Sequence, residues 1–168
     1  MSTPSSDSTT PSEVGREPIA PIRRCRREGS GIRWDDVDLK HYKEEGTHFR
    51  AITRQVLFDE RAELSNEVRY FEIAPGGHST FERHEHVHVV IVLSGSGRVV
   101  VGDSVQPIAP FDLVHVPPMT WHQFRADADA PLGFLCLVPC NRDRPIRPTP
   151  EEAESLRSDP HIGSFIRL

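Results

Sequence analysis

Cysteine and long hydrophobic runs are scarce in this sequence. Its three cysteines, Cys25, Cys136 and Cys140, are too few and too unevenly spaced for a disulfide framework or a CxxC pair. We interpret them as ordinary thiols in a reducing compartment. The absence of any apolar window of about 18 residues predicts that no segment spans a membrane. The amino terminus lacks the apolar stretch of a signal peptide, so we expect a cytoplasmic protein.

Positive charge is also in short supply. The formal net charge is -5, whereas nucleic-acid binding relies on clustered Lys and Arg that neutralise phosphates. We therefore expect no nucleic-acid partner. One short basic run is interpreted as a solvated linker, and it comprises Arg23, Arg24, Arg26 and Arg27.

Aromatic residues make up only 7% of the chain, whereas it has 15 prolines and 11 glycines, which interrupt regular elements. Apolar or alternating segments recur every 8–12 residues or so, bounded by turn residues, which predicts a one-domain all-β sandwich or barrel. The predicted strands lie within 48–60, 66–77, 87–95, 97–103, 104–110, 111–118, 120–126 and 131–139.

Four regions follow from changes in composition. Residues 1–22 are a Ser/Thr/Pro-rich tail that is predicted to be disordered. We expect residues 23–65 to form an arm with the first strands, residues 66–139 to form the barrel core, and residues 140–168 to form a carboxy-terminal extension. Within the arm, 32–46 is predicted to form one or two helical turns. Thr149, Pro150 and Glu152 form a capping-box pattern that predicts a helix over 150–157, and 161–168 is expected to add a strand.

The stretch "FERHEHVHVVIVLSGSG", residues 81–97, carries the candidate site. Alternate residues of a strand share a face, so Glu82, His84, His86 and His88 are predicted to project together. Burying them unpaired would be costly, and a divalent metal would remove that cost. His122, in "TWHQF", is a further candidate ligand. The alternative is a strand at a wet barrel mouth whose histidines face solvent.

Two motifs in this region resemble those of the cupin family of small double-stranded β-helix barrels. The first family motif is Gly, five residues, His-x-His, three or four residues, Glu, six residues and Gly. The second is Gly, five residues, Pro-x-Gly, two residues, His, three residues and Asn. The first frame is filled here by Gly76, Glu82-x-His84, His88 and Gly95, and the second by Phe111, Pro117-x-Met119, His122 and Ala126. The resemblance covers residues 66–139, and the second motif lacks both glycines and the asparagine.

The resemblance implies an all-β, cupin-type jelly-roll barrel with an amino-terminal arm and a short carboxy-terminal helix. It also implies one divalent transition metal held by Glu82, His84, His88 and His122. Glu82 either binds the ion or hydrogen-bonds a coordinated water, and His86 is the alternative fourth ligand. Both of these residues are candidate catalytic groups for moving protons. Imidazole and carboxylate suit Fe, Mn, Ni, Cu and Zn, with Fe or Mn favoured.

By the same resemblance, the expected function is that of an oxygen-dependent oxidoreductase, a dioxygenase acting on a small organic molecule. The expected pocket walls are Val90, Val92, Phe124 and Leu135. A metal-dependent isomerase or lyase, a sensory small-molecule-binding protein and a purely structural protein are the alternatives. Small cupins commonly pair through their sheets, which favours a homodimer formed by the strand "GFLCLVP" and the terminal arms.

Overall fold

A computed structural model describes residues 22–29, 31–41 and 48–168, so most of the predicted disordered tail and the end of the predicted arm helix lie outside the described residues. The described chain is all-β, as predicted. Its strands are β1 (Cys25–Glu28), β2 (Gly31–Trp34), β3 (Lys40–His41), β4 (Arg50–Phe58), β5 (Asn66–His78), β6 (His88–Gly95), β7 (Gly97–Val101), β8 (Ser104–Ile108), β9 (Leu113–Val116), β10 (His122–Ala126) and β11 (Leu132–Pro139). A 3-10 turn spans Glu60–Ala62, and one α-helix, α1, spans Pro150–Arg157.

Strand β5 organises the antiparallel sheet. The main path is β8-β7-β10-β5-β11-β6-β9, with β4 also on β5 and β3 on β4. Because β5 pairs with β4 and β11 along its length and touches β10 only at His78, the sheet curls into the jelly-roll barrel. The concave face of the barrel holds the candidate site.

Two apolar clusters stabilise this barrel. The larger one fills the interior and includes Val90, Phe124 and Phe134. The smaller one lies on the outside, where residues after the helix cover Phe81 and Val100. This second cluster contains Ile162, Phe165 and Ile166, so the extension is packed on the barrel.

The prediction of a final strand over 161–168 is wrong, because this segment forms turns. The Asp159 carboxylate accepts hydrogen bonds from the backbone of His161 and Ile162, which starts a turn. The amide of Gln123 then binds both backbone groups of Arg167, donating to its carbonyl and accepting from its N–H, each at 2.9 Å. A single side chain thus replaces the ladder that a neighbouring strand would supply.

The helix predicted within 32–46 is also wrong over its described part, where β2 pairs with β1 and β3 with β4. Side chains of the barrel satisfy the backbone of β2: the Glu72 carboxylate accepts from the N–H of Ile32, and the Gln55 amide accepts from that of Trp34. Trp34 also packs edge-on against Tyr70, with ring centroids 6.4 Å apart. Contacts with the barrel therefore override the weak local helix preference.

The predicted helix over 150–157 is confirmed, with Thr149 as N-cap and Glu152 completing the capping box. Glu152 also receives a hydrogen bond from Arg83 at 2.9 Å, which ties α1 to the segment before β6. In the described part of the chain, no helix has the length and apolar character needed to cross a bilayer.

Candidate functional site

Three buried histidines converge in the interior of the barrel. His84, His88 and His122 each offer a ring nitrogen, and these atoms all lie within 4.8 Å of one another. Their exposed fractions are 1%, 9% and 3%. His88 and His122 are the first residues of β6 and β10, whereas His84 lies in the preceding loop. The structure therefore brings together the three histidines that the sequence predicts as ligands.

The strand predicted over 87–95 is formed as β6 (His88–Gly95), but the strand geometry expected to align Glu82, His84, His86 and His88 on one face does not extend before His88. An isolated bridge joins Glu82 to His122, and the following residues form a loop. The Asp143 carboxylate accepts hydrogen bonds from the N–H groups of Glu85 and His86, at 2.8 and 3.1 Å. A side chain 57 residues away in the sequence thus binds the donors that a neighbouring strand would have used.

The hydrogen bonds of His84 and His122 leave one ring nitrogen of each residue available to a metal. Nδ1 of His84 lies 2.7 Å from the carbonyl of His86, and Nδ1 of His122 lies 3.0 Å from that of Thr120. Carbonyl oxygen only accepts, so each Nδ1 carries the proton and each Nε2 presents a lone pair. Nε2 of His84 is buried without a hydrogen-bond partner. This donor set fits a divalent transition metal.

The charge states suit the same role. Burial lowers the pKa of His88 to about 2 and that of His122 to about 4, and it also lowers the pKa of His84. Neighbouring imidazoles add to each shift, since two cationic rings at this distance would repel. The three rings are therefore neutral near pH 7, which is the form that binds a metal.

Glu82 and His86 line the same cavity as the three histidines, but their predicted roles remain predictions. Glu82 is not part of the triad within 4.8 Å. Burial raises its carboxyl pKa to about 7, although the charges of Arg69 and Arg147 oppose that shift. The His86 ring stacks on that of His84, with centroids 3.6 Å apart and planes 10° apart.

Asp143 holds His86 in this position. The carboxylate lies 2.6 Å from Nδ1 of His86, whose Nε2 lies 3.3 Å from Nε2 of His88. Sequence reasoning did not identify Asp143, since it lies in a polar segment with no motif around it. Only the fold brings it to the loop.

The cavity beside the triad has a volume of about 190 Å³ and mainly apolar walls. Val90 and Phe124 line it as predicted, together with Phe71 and Phe134. Leu135 was wrongly predicted as a wall, because its strand neighbours Phe134 and Cys136 face inward instead. Val92 is fully buried in the interior cluster rather than lining the cavity.

A buried thiol, interpreted from the sequence as ordinary, also lines this cavity. Cys136 is 2% exposed and lies opposite Arg69 on β5 and Val90 on β6. Because His88 is two residues from Val90 on the same face, Cys136 is its diagonal neighbour, about 7–8 Å away. Burial raises the pKa of the thiol, and the charge and hydrogen bond of Arg69 oppose this. The only signal in the sequence that could have placed Cys136 on the cavity wall is the alternation of inward and outward side chains along its strand. Which of the two sets faces inward is not known in advance.

Residues 69–138 match the model of the Cupin_2 family, described as a cupin domain. Over 138 residues the chain is 52% identical to a 1-methylthio-D-xylulose 5-phosphate methylsulfurylase of Rhodospirillum rubrum, covering 82% of this chain and 88% of that protein. The chain belongs to the cupin superfamily. The cupin barrel and the three histidines at its centre are thus as the motif resemblance implied, and the similarity to a named enzyme points to a catalytic role.

Two solved structures extend the likeness to the whole barrel. A cupin-2 domain protein of Rhodospirillum rubrum shares 51% sequence identity and a TM-score of 0.78, covering 83% of this cupin and 94% of that chain. A cupin 2 conserved barrel domain protein of Rhodopseudomonas palustris shares 45% identity and a TM-score of 0.81, covering 88% of this cupin and 99% of that chain. These matches extend well beyond the segment in which the motifs lie.

Proposed function

We propose that this cupin is a metal-dependent methylsulfurylase that acts on a 1-methylthio ketose phosphate. The observation that carries the proposal is the thiol of Cys136 in the same cavity as the three-histidine cluster. Transfer of a methylsulfur group calls for a sulfur nucleophile beside a group that activates the carbonyl, and this cavity contains candidates for both. The name of the relative from Rhodospirillum rubrum supplies the substrate class.

The chemistry of such a substrate defines the step. The methylthio group is on the carbon next to the ketone, so attack of a thiolate on its sulfur breaks the C–S bond and leaves the electron pair in an enolate. An S–S bond forms between Cys136 and the methylthio group, so the thiol sulfur is oxidised and the carbon is reduced. A divalent ion held by His84, His88 and His122 would supply Lewis acidity to the ketone oxygen.

Residues of the chain carry out the remaining tasks. Arg69 orients and polarises the thiol of Cys136 through its hydrogen bond. The rings of Phe71, Phe124 and Phe134 keep water away from the reacting carbon. The enolate carbon then takes up a proton, and Glu82 or His86, both on the cavity wall, is the proposed donor.

Turnover requires the removal of the methylthio group from Cys136. A low-molecular-weight thiol from solution attacks the sulfur that carries the methyl group, leaves with it as a mixed disulfide and restores the Cys136 thiol. The proton of that incoming thiol balances the one taken up by the ketose carbon. Each cycle thus consumes one thiol and requires no oxygen.

The test is a reaction of the metal-loaded protein with 1-methylthio-D-xylulose 5-phosphate and excess thiol under anaerobic conditions. Mass spectrometry should detect the ketose phosphate without its methylthio group and, when thiol is withheld, a methylthio adduct on Cys136. Cys136→Ser should abolish both products, whereas Cys140→Ser, outside the cavity lining, should retain them. Product formation by Cys136→Ser would refute the proposed step. Turnover that depends on oxygen would instead favour the dioxygenase expected from the motif resemblance.

Other predictions complete the proposal. We expect one divalent metal ion per chain, with Fe or Mn favoured. The motif resemblance also supports a homodimer, and the composition supports a cytoplasmic location. A small-molecule substrate is consistent with the size of the cavity and with the similarity to a named enzyme.

A further inference from the structure

A row of basic residues crosses four strands of the barrel. In the sheet register, Arg125 on β10 lies opposite both Arg98 on β7 and His78 on β5. His78 in turn lies opposite Arg50 on β4. Like charges at directly opposite positions destabilise a sheet, so this row is a feature that folding alone does not favour. It occurs in a chain whose formal net charge is -5.

Phe165 holds three arginines close together on the outside of the barrel. The guanidinium groups of Arg98 and Arg125 lie over its ring, 5.3 and 4.8 Å from the centroid. Its carbonyl oxygen accepts hydrogen bonds from Nη1 of Arg125 and from Nη1 of Arg167, the latter at 3.1 Å. An aromatic face and a carbonyl oxygen carry only partial negative charge, so they orient the three cations without neutralising them. We call Arg98, Arg125 and Arg167 the arginine cluster.

No acidic side chain neutralises this cluster within the part of the chain that the structure describes. Its three members and Arg50 form no ion pair with the described acidic residues. Burial lowers the pKa of Arg125, and the charges of Arg167 and Arg98 lower it further. Burial likewise lowers the pKa of His78, and the charges of Arg125, Arg167 and Arg50 add to this shift. The cations therefore act on one another, and an anion bound among them would relieve that repulsion.

A recess of about 200 Å³ lies beside the cluster, and its lining includes Arg98, Arg125 and Phe165. Asp127 is the one acidic residue among the described residues of this lining, and its carboxylate accepts a hydrogen bond from Ser96 at 2.6 Å. Phe165 is only 5% exposed beneath the guanidinium groups, so it offers no free face on which a nucleic-acid base could stack. A small anion therefore fits this recess better than a nucleic-acid strand does.

We propose that the arginine cluster is an anion site that binds a short inorganic polyphosphate, of which diphosphate is the smallest. Guanidinium groups form paired, charge-assisted hydrogen bonds with phosphate oxygens, and several arginines match the charges of a polyphosphate better than those of a single phosphate. The site lies apart from the metal cavity, because Phe124 and Ala126, the strand neighbours of Arg125, belong to the interior cluster. It therefore does not depend on the proposed function.

The test is a calorimetric titration of the metal-loaded protein with inorganic diphosphate. Arg98→Gln and Arg125→Gln should each weaken its affinity about tenfold, the effect of losing one charge-assisted contact. Arg98→Lys, which retains the charge, should recover part of the loss. Arg27→Gln removes an exposed arginine of β1 and is the matched control that should bind like the wild type. Wild-type affinity in both cluster variants, or an equal loss in Arg27→Gln, would overturn the proposal.

Diphosphate also binds divalent metals, so a further variant separates the cluster from the metal cavity. His122→Ala should lose the metal ion and keep the diphosphate affinity of the arginine cluster, and adding Arg98→Gln should weaken that affinity about tenfold. Diphosphate should also raise the melting temperature of His122→Ala more than that of the double variant, because a ligand of the folded state stabilises it. Absence of diphosphate binding to folded His122→Ala would place the anion at the metal and overturn the proposal.

Discussion

Arg69 donates a hydrogen bond from Nη2 to Sγ of Cys136, at 3.2 Å, between paired positions of β5 and β11. Burial raises the pKa of this thiol, whereas the adjacent guanidinium favours the thiolate. Arg69 also lies over the ring of Phe71, 5.1 Å from its centroid, which limits its movement. Burial and a fixed positive charge therefore act on the reactivity of Cys136 in opposite directions.

Replacing this charge should reduce thiol reactivity. In a Cys25→Ser, Cys140→Ser background, Arg69→Gln should raise the pKa of Cys136 further, because the opposing cation is gone. We expect the alkylation rate with iodoacetamide near neutral pH to fall about tenfold, the effect of one pKa unit. Arg157→Gln, at the exposed end of α1, is the control. An unchanged pH profile of alkylation would show that Arg69 does not tune the thiol.

Removing any one triad histidine should abolish metal binding. His84→Ala, His88→Ala and His122→Ala should each purify with little metal, measured by elemental analysis after anaerobic purification. His115→Ala, on the exposed side of β9, should retain the wild-type content. Glu82→Gln tests the fourth position: a clear loss of metal would assign Glu82 as a ligand, and retained metal would exclude it. Full metal content in His84→Ala would contradict the site.

Asp143 should control metal affinity through the loop that carries His84. Its carboxylate binds the N–H groups of Glu85 and His86 and the His86 ring, so Asp143→Ala should loosen all three contacts. We expect the metal affinity to fall tenfold to a hundredfold or so, as is usual when such supporting groups are lost. Competition with a chromophoric chelator measures this change. Asp129→Ala, in an exposed turn, should have no effect; a similar loss there would indicate a general effect of removing a carboxylate.

Much of the fold could be predicted because local patterns and final structure agree. Strands β4 to β11 follow the apolar rhythm between turn residues, and α1 follows its capping box. The errors occur where distant side chains bind the backbone: Gln123 for the last eight residues, Gln55 and Glu72 for β2, and Asp143 for the histidine loop. No local pattern encodes such partners.

The candidate site could also be predicted only in part from the sequence. The motif spacing identified His84, His88 and His122, because a metal site needs particular residue types at fixed intervals. Cys136 was overlooked because its importance depends on which face of β11 is inward. No turn joins β11 to β6, and their register shifts between Gly133 and Phe134, so the pairing could not be derived from the sequence.

Acid should destabilise the metal-free protein through His88. The pKa of His88 falls to about 2 on folding, so below its ordinary value of 6.5 the unfolded chain binds a proton that the folded chain does not. For each unit by which the pH is lowered in this range, the contribution of His88 should reduce the free energy of unfolding by about 1.4 kcal/mol. Glu82 has the opposite effect on the free energy of unfolding. Its pKa is raised from the ordinary 4.5 to about 7 in the folded protein, so between these pH values the folded chain binds a proton that the unfolded chain does not.

Comparison of variants isolates this effect of His88. Urea unfolding with chelator present, at pH values from 7 to about 4, should give a shallower pH dependence for His88→Gln than for the wild type. His161→Gln, which removes an exposed histidine outside the outer face of β6 and β9, should match the wild type. Equal slopes for His88→Gln and the wild type would mean that the His88 imidazole is protonated in the folded protein.

Exposed apolar residues on the outer face of the barrel indicate where a homodimer would form. Leu113 and Val89 are 71% and 40% exposed, and the register of β11, β6 and β9 aligns them with Ile91, Leu135 and Leu137. This apolar surface ends at the sheet-edge strand β9, an arrangement typical of association surfaces. Light scattering during size-exclusion chromatography should give a dimer for the wild type and a monomer for Leu113→Asp. Leu64→Asp, at an exposed site in a turn, should remain dimeric, and a monomeric wild type at micromolar concentration would refute the prediction.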